Sequence, residues 1–322
     1  MNTTIGLTSD SRIRQCTTPA AVWAALGAAA LIAQCVLLGR WLAEDGMHAA
    51  VHDYVISTTR IAPVWIEQAA MAIGLVAVAA VLWWQYRQTR TVTLYAIAFW
   101  GNFCTWWLSP IMAYHYPSPI SNRYALNVVS WGHHIPGWHP NLPGSHIETL
   151  LAAQMFMFPL VVSWVWLQSL CLSVVRRQWP HWGSARILAV LVVSGFLVDL
   201  VVELLFVSVC GAYAYPLANH SLSLFGGHWY QIPLPNVLIG GLLLCTPTTF
   251  MAYRAQQRGS VPHIFRGTEH LTSHTQAAVR VAAGIGYANV IMFVYVVLVA
   301  CVPLLGTGPV PADTPGWIWP GR

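Results

Sequence analysis

ILAVLVVSGFLVDLVVELLFVSVCGAYAYPLANHSLSLFGGHWYQ, residues 187–231, decides how the rest of the chain is read. Its first part is an apolar run long enough to cross a bilayer, and two carboxylates, Asp199 and Glu203, sit inside it. Four residues apart on a helix, they share one face at roughly 6 Å from each other. A carboxyl group facing lipid is costly, so such groups turn inward, find partners and mark working sites. Two so close do not both ionise easily, and one is expected to hold a proton near neutral pH. That is the chemistry of an acid–base pair in a water-poor pocket. The bland alternative is structural: an acid neutralised by Arg40 or Arg60, or hydrogen-bonded to a neighbouring helix.

The composition supports a membrane setting. Of 322 residues, 57% are hydrophobic and only 8% charged, and the mean hydropathy is +0.57. Soluble domains carry about a quarter charged residues. Seventeen Trp and twelve Tyr suit interfacial aromatic belts or an aromatic-lined cavity. All fifteen basic residues are arginine, scattered among short loops rather than gathered in a patch, so the net charge of +5 is no nucleic-acid signal. Without lysine, neither a retinal or pyridoxal Schiff base nor a Walker-type phosphate loop can form. The seven cysteines are isolated, with no CxxC pair, and imply neither a disulfide framework nor a zinc ribbon.

Seven apolar segments approach the spanning length: Ala20–Ala43, Ala62–Trp84, Thr91–His115, Ile147–Cys171, Ala185–Val209, Pro233–Ala252 and Ala277–Val302. The third is interrupted by Asn102, Thr105 and Pro110, and the sixth begins with prolines. Arg12 and Arg14 precede the first run as in a signal peptide, but the run is too long for one and is read as the first anchor. Arginine placement sets the orientation: with the N-terminus cytoplasmic, eleven arginines fall inside and four (Arg40, Arg60, Arg123, Arg322) outside. The expected fold is therefore an all-α integral membrane protein of seven transmembrane helices, N-terminus cytoplasmic and C-terminus outside. Residues 1–19 form a cytoplasmic segment, 20–303 the transmembrane domain, and 304–322 an irregular outer tail.

The outer loops hold nine of the thirteen histidines, with many Pro, Gly, Trp and Tyr, as in SWGHHIPGWHPNLPGSH (residues 130–146). A loop that long is more often functional than idle; Trp131 and His134 are its candidate substrate contacts. Glu67 and Glu148 sit at comparable outer depth, and either can complete a cavity. Glu148 is alternatively a first-turn carboxylate favoured by the helix dipole. Asn102 and Gln154 are intrahelical amides suited to interhelical hydrogen bonds, with substrate contact as the lesser reading, and Asn102 is counted among the candidate substrate-binding residues. After the fifth segment come Tyr213, Tyr215, His228, Tyr230 and Gln231, in a loop able to orient a polar group of an apolar ligand. His48, His52 and Asp53, with His133, His134, His139 and His146, invite a metal reading. The repeated HxxxH and HxxHH boxes of membrane di-iron oxygenases are missing, and no metal is assigned.

Asp199-x3-Glu203-x7-Gly211-x-Tyr213-x-Tyr215-Pro216, followed by His228-Trp229-Tyr230-Gln231-x-Pro233, resembles the spirocyclase family typified by the avermectin cyclase AveC. The resemblance implies a cofactor-free enzyme that closes a spiroketal in polyketide (antibiotic) biosynthesis: a keto-diol loses water and two oxygen rings share one carbon, in some members with a dehydration. It implies Asp199 and Glu203 as the acid and carboxylate. Glu67, His228 and Tyr213 are implied as supporting groups, and an apolar polyketide as substrate. On the residues alone, a membrane terpene or carotenoid cyclase or isomerase, or a proton-coupled transporter, uses similar acids. A transporter is expected to show an inverted repeat, and none is found.

Overall fold

The computed structural model describes residues 18–50, 56–116, 119–139, 147–152 and 157–319. Eight α-helices carry the described part: α1 (Pro19–Glu44), α2 (Thr58–Thr89), α3 (Leu94–Phe103), α4 (Met157–Gln178), α5 (Ser184–Glu203), α6 (Leu234–Gly240), α7 (Thr246–Gln257) and α8 (Ser273–Cys301). Among the described residues, six helical stretches are long and apolar enough to cross a membrane: Pro19–Glu44, Thr58–Thr89, Phe158–Gln178, Ser184–Cys210, Leu234–Gln257 and Ser273–Leu305.

The third apolar segment is the one not built as a long helix. α3 starts on Thr93, whose hydroxyl accepts from the Ala96 amide at 3.2 Å, a normal N-cap. It stops after Phe103. Thr105 Oγ1 turns back to the Asn102 carbonyl at 2.7 Å, and Trp106–Ala113 continues as a 3-10 helix around Pro110. A proline without an N–H and a hydroxyl competing for a carbonyl end the α-helical ladder. The fourth segment also starts later than its hydropathy suggests. Ile147–Thr149 is a strand, β3, paired antiparallel with β2 (Asn127–Val129), and the described helix runs Met157–Gln178.

Glycines let the helices approach closely. α1 packs along α8, where Gly27 lies against the Ala282 carbonyl and Gly286 against the Trp23 carbonyl. Any side chain at either position would enter the facing backbone, the small-residue packing that lipid-immersed helices rely on. α5 meets the next span in the same way, Gly195 against the Gly241 carbonyl.

Two of the spans change pitch partway along. Directly after Glu203, Leu204–Cys210 is π-helical, and directly after Gly240, Gly241–Cys245 is π-helical too. Single-turn π-bulges often sit at functional sites.

A cap of short strands and turns closes one end of the bundle. β1 (Ile120–Ser121) pairs with β4 (Tyr213–Ala214), and β5 (Ser223–Leu224) pairs with β6 (Ile232–Pro233). Among the described residues, the tail has no regular helix beyond Leu305, yet Trp317 and Ile318 are buried with Ile120, Ala214 and Trp229. Loop, strand and tail thus share one small core over the end of the bundle.

Candidate functional site

α5 sorts its side chains by face. Val193, Leu197 and Val201 are 58%, 53% and 54% exposed, whereas Asp199 is 5% and Glu203 7%. The apolar stripe is the lipid-facing side of such a span, and the acids point into the bundle. Arg40 pairs with Glu44 at 3.3 Å, and Arg60 lies over the Trp229 ring. Both arginines considered as neutralising partners are engaged elsewhere.

The cap brings phenols to the carboxylates. Glu203 ends the regular part of α5; the π-turn then runs to Gly211, whose φ of 64° is left-handed backbone that glycine adopts without strain. The chain reverses there into β4, held by Asn122, whose side-chain amide donates to the Gly211 carbonyl at 2.9 Å and whose backbone N–H donates to the Ala212 carbonyl at 2.8 Å. β4 and the residue that follows it deliver Tyr213 and Tyr215, both buried and packed edge to face at 5.8 Å. The Tyr215 hydroxyl donates to Glu203 Oε1 at 3.0 Å. Glu203 Oε2 is buried and has no hydrogen-bond partner among the described residues. Gln231 fixes this strand: its amide nitrogen donates to the Tyr215 carbonyl at 2.9 Å, and its oxygen accepts from the Gly227 N–H. Burial first, then the Glu203 carboxylate, pushes both phenols well above their usual range, so they stay protonated.

Asp199, Glu203, Tyr213, Tyr215 and Tyr295 line one small hollow with Met112 and Phe158. Its volume of about 20 Å³ is room for a water molecule. Two carboxyls, three phenols and an apolar wall in such a space can move a proton and stabilise a cation.

The other expected site residues lie at various removes from that hollow. Glu67 is buried at 6% exposure, but it faces the π-turn beside Cys210 rather than the hollow, and neither of its oxygens has a partner among the described residues. Glu148 is a correction: it is no first-turn helix carboxylate but a member of β3, fully buried, accepting from Ser109 Oγ and from Ser130 Oγ at 2.7 Å. Tyr230 and His228 stack on each other at 5.2 Å, and His228 is half exposed, held by Asp313 at 3.1 Å. Trp131 is fully buried, its indole N–H donating to the Trp107 carbonyl at 2.9 Å. His134 faces Asp45. Asn102 sits at the end of α3, half buried. None of these lines the hollow. Gln154, His52, Asp53 and His146 fall outside the described residues.

Sequence reasoning missed Tyr295 and Gly240. Tyr295 is one of two phenols, with Tyr287, in a strongly apolar span, a pattern indistinguishable from an aromatic belt until the fold brings α8 beside α5. Gly240 opens a Gly-Gly pair inside a span; a small residue in a membrane helix usually signals helix packing, and here it faces the Asp199 carboxyl. One turn before it, Asn236 is buried with neither amide atom partnered among the described residues.

No curated protein and no solved structure matches this chain. A family model described as "Spirocyclase AveC-like" matches residues 89–317, which include both carboxylates, all three phenols and Gly240. The family implies a cyclase. With that match spanning most of its length, the chain belongs to the AveC-like spirocyclase family.

Proposed function

We propose that this protein is a membrane-embedded, cofactor-free cyclase that forms a spiroketal from an apolar keto-diol polyketide with loss of one water. The observation that carries the proposal is the Asp199/Glu203 pair, buried on the inward face of a membrane-length helix and met there by Tyr215. The family supplies the reaction class; the carboxylates supply a way to run it.

One hydroxyl of the substrate adds to the ketone to give a hemiketal. A protonated carboxyl of the pair donates its proton to the hemiketal hydroxyl, which leaves as water. The resulting oxocarbenium ion is stabilised by the ionised partner carboxylate. The second hydroxyl attacks that carbon and passes its proton to the carboxylate. One proton is given and one is taken, so the pair ends with its roles exchanged and is reset by proton transfer between its members. Because their titrations are coupled, the acid and base roles belong to the pair. Tyr215 orients Glu203 by its hydrogen bond, and Tyr213 and Tyr295 shape the wall around the cation. No metal, nucleotide or redox group takes part in this scheme.

Ligand pockets for molecules of this kind run to several hundred Å³, far beyond the hollow's present volume. Substrate entry therefore requires the cap over Tyr213 and Tyr215 to part from the bundle. The protein is placed in a bacterial-type cytoplasmic membrane with the cap outside, following the arginine bias. Residues 20–303 are taken as one transmembrane domain, and the described tail through Trp319 completes the cap. Incubating the purified protein with a keto-diol polyketide tests the reading. The expected product is lighter than the substrate by one water; a substrate that stays unchanged removes the proposal.

A further inference from the structure

We infer that the protein binds one divalent transition-metal ion of the zinc type at Asp45, His133 and His134, a site separate from the carboxylate hollow. Asp45 caps the C-terminal end of α1. His133 and His134 are adjacent residues of a 3-10 turn in the cap, Gly132–His134. The Nε2 atoms of both imidazoles lie 2.9 Å from the same oxygen, Asp45 Oδ2. One donor atom from each residue falls within 4.8 Å of the other two.

Three donors converge here from two parts of the chain that are far apart in sequence. Tetrahedral zinc with bonds of about 2.0–2.1 Å to nitrogen and oxygen separates its ligand atoms by roughly 3.3 Å. The two nitrogen–oxygen edges, 2.9 Å each, reach that spacing by opening a few tenths of an ångström, and all three donor atoms already lie within 4.8 Å of one another. Two imidazoles and a carboxylate also suit zinc, copper or nickel, whereas magnesium and calcium prefer oxygen.

The surroundings are built as a ligand shell needs. His134 is 2% exposed, and its second nitrogen, Nδ1, points to Glu44 Oε2 at 3.7 Å. With Nε2 on a metal, Nδ1 carries the hydrogen and faces a carboxylate, the outer contact that orients metal-bound histidines. A hydrogen bond from Nε2 to Asp45 alone instead leaves a lone pair turned towards Glu44. The turn is anchored as well. Trp131, directly before it, is fully buried and packs edge to face on Trp41 of α1 at 5.4 Å. His133 is half exposed, which leaves the fourth coordination position open to water.

None of the three ligands lines the hollow at Asp199, and Asp45 lies outside the residues the family model matches. The ion would act as a clamp, fixing the end of α1 to the cap.

The test uses the metal-stripped full-length protein in detergent, titrated with zinc chloride against a chromophoric chelator, and separately with cobalt chloride. Wild type is expected to bind one zinc per chain, to gain thermal stability on binding, and to give the intense visible bands of tetrahedral cobalt. His133→Ala, at a half-exposed position, is expected to match the metal-free wild type in thermal stability while binding zinc at least tenfold more weakly and giving no such bands. Asp45→Asn should behave in the same way. Equal zinc affinity in wild type and His133→Ala, or absence of a zinc-induced rise in wild-type stability, overturns the site. Cyclisation of a keto-diol is measured alongside, since the catalytic proposal and the metal site stand or fall on separate readouts.

Discussion

Gly240 and Asp199 face each other so closely that a β-carbon on Gly240 would lie 2.5 Å from Asp199 Oδ2 and 2.8 Å from its Cγ. The carboxyl group occupies the space that a side chain on α6 would fill. Gly240→Ala is therefore expected to push Asp199 off its position and lower turnover 10- to 100-fold, since displacement of about 1 Å costs about that much. Gly74→Ala is the control: its β-carbon meets only Leu160 methyl groups at 3.5 and 3.6 Å, ordinary contact. Steady-state rates of the two variants, with thermal stability measured in detergent, check the difference.

Asp199→Asn and Glu203→Gln each remove the ability to exchange a proton while keeping shape. Each is expected to lower turnover by about 10²–10⁴-fold, the usual contribution of a positioned acid or base. The double variant should be little worse than the weaker single one, because groups acting as a unit are not additive. Unchanged turnover in both single variants would end the assignment of the pair.

Tyr215→Phe takes away the hydrogen bond that the Tyr215 hydroxyl donates to Glu203 Oε1. Hydrogen bonds to charged groups contribute about 1.5–3 kcal/mol, and turnover is expected to fall at least tenfold. Tyr230→Phe, which touches His228 and Phe225 outside the hollow, should leave it near wild type. Comparing kcat for the two separates a contact with the carboxylate from general loss of aromatic packing.

Tyr213 and Tyr215 also predict a pH response. Their folded-state pKa values lie above that of an unfolded tyrosine, which is about 10. The stability from holding them neutral is fully present below pH ~10 and is lost as pH rises towards the folded values. In an alkaline titration followed by tyrosinate absorbance, the Tyr213→Phe/Tyr215→Phe variant should overlay native wild type through pH ~10. It should fall short by two tyrosines only after unfolding. A deficit at pH ~10 in the native state would refute the prediction.

Gly286→Val should separate α1 from α8, because the new side chain meets the Trp23 carbonyl. Helix backbones in contact do not yield as flexible side chains do, and destabilisation above the usual 1–3 kcal/mol of overpacking is expected. Thermal unfolding in detergent measures it.

The inward turn of Asp199 and Glu203, and the gathering of Tyr213 and Tyr215 around them, were legible because both rest on short-range rules. The acids share a helix face, and the strand follows a glycine reversal eight residues later. Hydropathy marks seven segments, and the described residues hold six membrane-length helices. Average hydropathy fails at residues 94–113, where Thr105 and Pro110, visible in the sequence as interruptions, break the ladder, and at Glu148, where three strand residues read as the start of a span. Tyr295, Gly240 and the partners of His134 were hidden for a different reason. Each acquires its meaning from a segment far away in sequence: α8 beside α5, α6 beside Asp199, and the end of α1 beside residues 132–134.

The π-turn at Leu204–Cys210 makes the chain's tolerance to length changes unlike its tolerance to changes of residue. Each extra residue in a helical turn rotates everything downstream by roughly 100° relative to an ordinary α-helix. Removing a single residue from this stretch would leave composition and hydropathy almost untouched, yet would swing the following strand about the helix axis and carry both phenols away from the acids. Lineages of this protein should accordingly accept Val209, which is 62% exposed, as many apolar residues, while keeping the number of residues between Glu203 and Tyr213 constant.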